Sequence, residues 1–263
     1  MKDLSSIFIE HSRPWVKSAF LLLLVACACW QLMAWLEKPT TMPIKHVRIE
    51  GALNYITHDE ISQSLSQLVQ TGYFAMDADA IIKNVTAIEW VEKARVRRVW
   101  PDMMVLSLQE QQPVAVWNET ALLNPQGEVF QPVFDTALLK LPHLSGINSD
   151  SKKLLAEQEK IDRSIESIDV SIKRLALAEH GSWSAVMSNG VKIKAGNQRP
   201  DQKISKSLML LASLDGDLIE HIELIDLRYP NGMAVTWRSG YEFNELGVKT
   251  AVIAMNKDWP NKG

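Results

Sequence analysis

Six histidines (His11, His46, His58, His143, His180 and His221) are the side chains best suited to proton transfer or metal binding near neutral pH. They are scattered along the 263 residues, and no two stand at a metal-ligand spacing. Neighbouring carboxylates could divide acid and base roles, but Asp59-Glu60 falls at a helix start and Asp215 and Asp217 flank a glycine turn. Cys27 and Cys29 are the only cysteines. Two residues apart in a predicted helix, their side chains diverge, so no disulfide between them is expected. The rest of the chain has no thiolate for a metal site. No GxGxxG, Walker-type or zinc spacing occurs. The expected chemistry is therefore recognition, with no catalytic residue, no metal, no cofactor and no small-molecule substrate.

Two groups of residues could carry recognition. The first is a basic run on a predicted strand, Arg95, Val96, Arg97 and Arg98, which reads as a binding stripe or as the wet face of that strand. The second, Arg228, Tyr229, Gly232 and Trp237, lies in or beside a late hairpin. One reading of it is ordinary packing, with Trp237 in the core and Gly232 serving turn geometry. The other is an edge strand awaiting a partner strand, where main-chain hydrogen bonds supply affinity. The net charge of −3 speaks against nucleic acid, which calls for a strong positive field.

The element preceding all of these is apolar. From Ser18 to Leu36 the chain reads SAFLLLLVACACWQLMAWL, with Gln31 its only strongly polar side chain. At ~1.5 Å per residue this gives roughly 28 Å of helix, close to the ~30 Å hydrocarbon core of a bilayer. Trp15, Trp30 and Trp35 lie toward its ends, where indoles favour the interface. Arg13 and Lys17 flank one side while Glu37 and Lys38 cancel on the other. Residues 1–17 are thus expected in the cytoplasm and everything after Pro39 outside. A lipoprotein signal with Cys27 as the lipidated residue is the competing reading. The apolar run continues past Cys27 through Trp30, Leu32, Met33 and Trp35, so an uncleaved transmembrane helix is expected.

Residues 44–112 predict a small α+β domain. Ile44–Glu50 alternates as a strand that Gly51 ends, and Thr57-x-x-Glu60 is a capping box for a helix with Ile61, Leu65, Leu68 and Val69 on its apolar face. Gly72 closes that helix. Asp77 or Asp79 caps a second helix carrying Ile81, Val85 and Ile88. Strands follow at Val91–Val99 and Met104–Glu110 around Trp100-Pro101-Asp102, giving β-α-α-β-β.

Residues 113–241 predict a mainly antiparallel sheet with helices. Val114–Asn118 and Ala121–Phe130 read as strands, the second bent at Asn124–Gly127, and Ser151–Ile168 as a helix. Hairpins are expected across Asn189-Gly190 and Asn231-Gly232, with the helix Pro200–Leu214 between them. In the tail, residues 242–263, the apolar stretch Val248–Met255 could dock on the domain.

The order of elements, with VRRVWPDMMVLSLQEQQPVAVWN (residues 96–118) and IDLRYPNGMAVTW (225–237), resembles the FtsQ/DivIB family of bacterial cell-division proteins. The resemblance spans roughly residues 15–240. It implies a POTRA domain directly after a single inner-membrane helix, a periplasmic β domain, and a place at the division septum. It further implies a non-enzymatic scaffold whose partners are divisome proteins, above all the FtsB–FtsL pair. The strand holding Val96, Arg97 and Arg98 would serve recruitment, and the region of Arg228, Tyr229, Gly232 and Trp237 would meet FtsB. A POTRA-containing lipoprotein assembly factor at the outer membrane and an anchored envelope hydrolase are the alternatives.

Overall fold

The computed structural model describes residues 14–36, 43–66, 73–74, 76–214, 218–230, 232–239 and 250–254. Leu68, Val69, Gly72, Asp215, Asp217 and Asn231 lie outside the described residues. Helix α1 (Pro14–Leu36) begins four residues before the expected span, at a proline whose fixed φ and missing N–H suit a first helical turn. Its stretch Ser18–Trp35 is long and apolar enough to cross a membrane, and none of it is buried. The chain then divides into two compact units, Met1–Glu110 and Gln111–Gly263.

In the first unit β1 (His46–Glu50), α2 (His58–Leu65), α3 (Ala78–Thr86), β2 (Val91–Val99) and β3 (Met103–Glu110) follow the expected β-α-α-β-β order. The sheet runs β1-β3-β2, with β1 parallel and β2 antiparallel to the central β3. The Thr57 hydroxyl accepts from Glu60 N–H at 3.3 Å, and the Glu60 carboxylate accepts from Thr57 N–H at 2.9 Å, completing the capping box of α2. Asp77, not Asp79, caps α3, its Oδ1 accepting from Asp79 and Ala80 N–H at 3.0 Å each. Ile61, Leu65, Ile81 and Val85 are buried with Met104, Leu106 and Leu108.

The connection from β1 to α2 is fastened to β3 twice. Gly51 ends β1 at φ +147°, and a Cβ there would stand 2.4 Å from the Leu108 carbonyl oxygen. The Glu110 carboxylate, 8% exposed, accepts backbone N–H groups from Asn54 at 2.8 Å, Tyr55 at 3.0 Å and Ile56 at 2.8 Å. Tyr55 stacks on Trp90 with ring centroids 4.2 Å apart.

The second unit is built on one mixed sheet. Its strands are β4 (Ala115–Trp117), β5 (Ala121–Leu123), β6 (Val129–Phe130), β7 (His143–Ser145), β8 (Ile172–Leu177), β9 (Trp183–Met187), β10 (Lys192–Gly196), β11 (Ile222–Asp226), β12 (Gly232–Trp237) and β13 (Thr250–Ala254). They are ordered β13-β12-β11-β10-β9-β8-β7-β4-β5-β6, with parallel pairs at β10–β11, β7–β8 and β4–β7 and antiparallel pairs elsewhere. Parallel neighbours require a crossover, and α4 (Ser151–Ser164) joins β7 to β8 as α5 (Pro200–Leu214) joins β10 to β11. Leu144, Leu175, Ala185, Ile193, Ile225 and Val235 form one cross-strand row in a single buried core with Leu154 and Ile161 of α4 and Ile204, Leu208 and Leu211 of α5.

Several expectations need correction. Ala121–Phe130 is two strands, β5 and β6, because Asn124 organises a reversal: its side-chain oxygen accepts from Gln126 and Glu128 N–H at 3.0 and 2.9 Å. Helix α4 stops at Ser164, and Ile165 fills the core while Ile168 packs only against its rim. Of the expected Asn231-Gly232 turn, Gly232 is instead the first residue of β12, and Asn231 lies outside the described residues. The β11–β12 ladder closes at Asp226–Ala234, because Leu227 is fully buried and donates its N–H to the Lys194 carbonyl at 2.8 Å.

Candidate protein interfaces

In the first unit the basic run is split between two faces. Register puts Arg97 in one row with Val105 and Arg48, and Arg95 with Ser107 and Glu50. Buried Val105 is flanked on that face by two arginines whose aliphatic stems suit covering it. Val96 belongs to the opposite row with Leu106 and Ile49 and is half-buried. Arg98 shares that opposite face and donates to the Met76 carbonyl just before α3. So Arg97 is displayed, Arg98 is tied to its own domain, and Val96 belongs partly to the core.

In the second unit Arg228 and Tyr229 occupy the loop after β11. Arg228 N–H and Nε donate to Asp226 Oδ1 at 3.1 and 2.9 Å, and its terminal nitrogen lies 2.5 Å from Asp226 Oδ2. This guanidinium holds the Asp226 carboxyl below the ordinary carboxylate range, against the opposing effect of burial. Beneath the loop, Lys203 of α5 is 4% exposed and points its Nζ at the Leu227 carbonyl, 3.4 Å away. Burial pushes its pKa down. Tyr229 is left 51% exposed. Gly232 and Trp237 are buried within β12, and Trp237, 4% exposed, belongs to the core cluster.

The expectation of an open β12 edge also needs correction. β12 pairs with β11 on one side and with β13 on the other, from Gly232↔Ala254 to Thr236↔Thr250. The apolar tail stretch thus supplies the terminal strand. Asp226 and Lys203 went unforeseen as parts of this region, and the tail was expected to dock but not as a strand on β12; a carboxylate two residues before Arg228 was the available signal for the first.

Among the described residues no three His, Cys, Asp or Glu side chains gather as a metal site. His143 has both ring nitrogens engaged, Nδ1 3.2 Å from Glu119 Oε2 and Nε2 3.1 Å from the Leu139 carbonyl, which ties the short helical turn Thr136–Lys140 to the β4–β5 turn.

An apolar N-terminal helix fit to cross a membrane, then a POTRA-type unit and an α+β sheet unit, defines a single-pass POTRA protein. Residues 42–111 match the POTRA domain, FtsQ-type, and residues 115–228 match the C-terminal region of cell division protein FtsQ/DivIB. A Shewanella oneidensis protein named cell division protein FtsQ is 34% identical over 209 residues, 78% of each chain. Proteins of the same name from Actinobacillus pleuropneumoniae and Coxiella burnetii are 30% and 28% identical over 204 residues, covering 77% and 78% of this chain and 89% and 84% of their own. The chain belongs to the FtsQ/DivIB family of cell-division proteins.

Proposed function

We propose that the chain is a non-enzymatic scaffold of the division machinery, held in the inner membrane by α1 at the septum. Its N-terminus lies in the cytoplasm and both folded units lie outside, an orientation supported by Arg13 and Lys17 before the apolar run. It links early and late division proteins through protein contacts, including one with the FtsB–FtsL pair. The observation that carries this reading is the Arg228–Tyr229 loop, a half-exposed ring on a hydrogen-bonded turn. A large aromatic with few rotatable bonds is the kind of side chain that anchors protein interfaces. Arg97, displayed beside Arg95, is a second contact surface, used for recruitment.

One experiment addresses both surfaces in the full chain. Tyr229→Ala should weaken binding of the extracytoplasmic part of the FtsB–FtsL pair by ~1–3 kcal/mol, roughly five- to 150-fold, with the sheet still folded by circular dichroism. Arg97→Glu should reduce septal localisation while leaving that binding intact, since exposed charges add little to stability. Wild-type binding in a folded Tyr229→Ala chain would remove the loop from the interface, and wild-type localisation of Arg97→Glu would reduce the basic run to a solvated face.

A further inference from the structure

Lys203 stands where a lysine is costly. It is the fourth residue of α5, at the first turn, where the helix dipole disfavours a positive charge. It is also almost fully buried, and burial depresses its pKa with no carboxylate among the described residues to offset the lost water. An ammonium carries three N–H donors. Among the described residues it makes one hydrogen bond, to the Leu227 carbonyl at 3.4 Å. A methionine would bury a similar stem without the charge.

That bond falls where the chain turns outward. The Leu227 side chain is fully buried, and its N–H donates to the Lys194 carbonyl of β10 at 2.8 Å. The Leu227 carbonyl and the Arg228 N–H belong to one planar peptide unit. Lys203 holds that plane at its oxygen, and Asp226 Oδ1 holds it at its hydrogen, 3.1 Å from the Arg228 nitrogen. The plane sets the direction in which the chain leaves the sheet. Arg228 and the half-exposed ring of Tyr229 follow directly.

We infer that Lys203 is a positioning residue: from beneath, its ammonium fixes the Leu227–Arg228 peptide so that the loop presents Tyr229 outward in one conformation. Its part in partner binding rests on the role proposed for that loop above. Without the ammonium the peptide could turn over, and its freed carbonyl would reach water, because residues 228–230 are exposed.

The test uses the full chain in detergent. Lys203→Met keeps the stem and deletes the donor, and Lys203→Gln keeps a neutral N–H donor one atom shorter. Lys203→Met should unfold in urea at the wild-type concentration or a higher one, because a desolvated charge has gone. In the same variant, hydrogen exchange over residues 227–229 should quicken at least tenfold while β8 to β10 keep their protection. Binding of the extracytoplasmic part of the FtsB–FtsL pair should weaken at least fivefold, and Lys203→Gln should recover part of both losses. Binding thus falls where stability does not, a split that a residue needed only for packing would not produce. An unfolding midpoint lowered in both variants makes Lys203 a packing residue and overturns the inference. So does wild-type exchange over residues 227–229 in Lys203→Met. Quickened exchange with unchanged pair binding also overturns it, provided that Tyr229→Ala weakens the pair. If Tyr229→Ala binds as wild type, the loop loses its contact role, and the hold of Lys203 on the loop stands on the quickened exchange.

Discussion

Glu110→Ala should destabilise the first unit by roughly 3 kcal/mol or more, because it strips the acceptor from three backbone N–H groups at once. The carboxylate is itself almost fully buried, and so is Ile56, whose amide would be left without water to replace it, while the more exposed Asn54 and Tyr55 lose charge-assisted bonds. Leaving a buried donor unpaired costs about 1–3 kcal/mol, more than the net worth of an ordinary hydrogen bond. Glu110→Gln should fall between wild type and alanine, since it keeps one oxygen and turns a donor toward other donors. Hydrogen exchange read by mass spectrometry on the full chain, in increasing urea, separates residues 44–110 from the second unit. Protection of residues 54–56 should vanish in Glu110→Ala well before that of β8 to β12 changes. Unaltered protection there would mean that the three amides find other acceptors.

Gly51→Ala should be at least as damaging in the same unit, for a steric reason. The backbone at φ +147° is a conformation in which L side chains are strained, at about 1–3 kcal/mol. The added methyl would also stand 2.4 Å from the Leu108 carbonyl oxygen, on the central strand of the sheet. Gly181→Ala is the matched control, with φ +84° and nothing within 4 Å of its Cβ, and should show the conformational cost alone. If both variants lose the same stability in urea, the close approach to β3 contributes nothing. Gly51 and Glu110 fasten the same connection, so their effects should not add when combined.

The elements legible in the sequence were those with their own local signals. Thr57-x-x-Glu60 declared α2, the pair Asp77 and Asp79 the start of α3 without choosing between them, and the spacing of Ile204, Leu208 and Leu211 the helix α5, whose bounds Pro200 and Leu214 were also readable. What escaped was set by distant partners. β8 hides its alternation because a bulge between Ile172 and Arg174 leaves Lys173 and Arg174 exposed in succession. β7 has three residues and is a strand only because β4 and β8 flank it. Asn231-Gly232 carried the usual hairpin signal, yet the buried Leu227 and the Asp226–Arg228 tie reshaped the loop. For the candidate interfaces, the residues were visible and their orientation was not. Only the register onto β3 distinguishes displayed Arg97 from Arg98, which is bonded to Met76. Only tertiary packing assigns Trp237 to the core and leaves Tyr229 outside.

The parallel pairing of β1 with β3 has a mechanical consequence for a protein tethered at one end. The chain enters this unit at the start of β1 and leaves it at the end of β3, and the two strands point the same way. A pull between residues 45 and 111 therefore slides β1 along β3. The bonds from His46↔Met103 to Glu50↔Ser107 then carry the load together instead of parting one after another from an end. A pull between residues 45 and 102, which meet at the same end through the Lys45 N–H to Asp102 carbonyl bond, would unzip the same ladder. In an optical trap the first geometry should rupture at several-fold higher force than the second, since forced opening reads the barrier and not the equilibrium. Equal forces would place the mechanical resistance outside this strand pair. Tension arriving from the membrane side is thus met in shear, the direction in which a short ladder resists most.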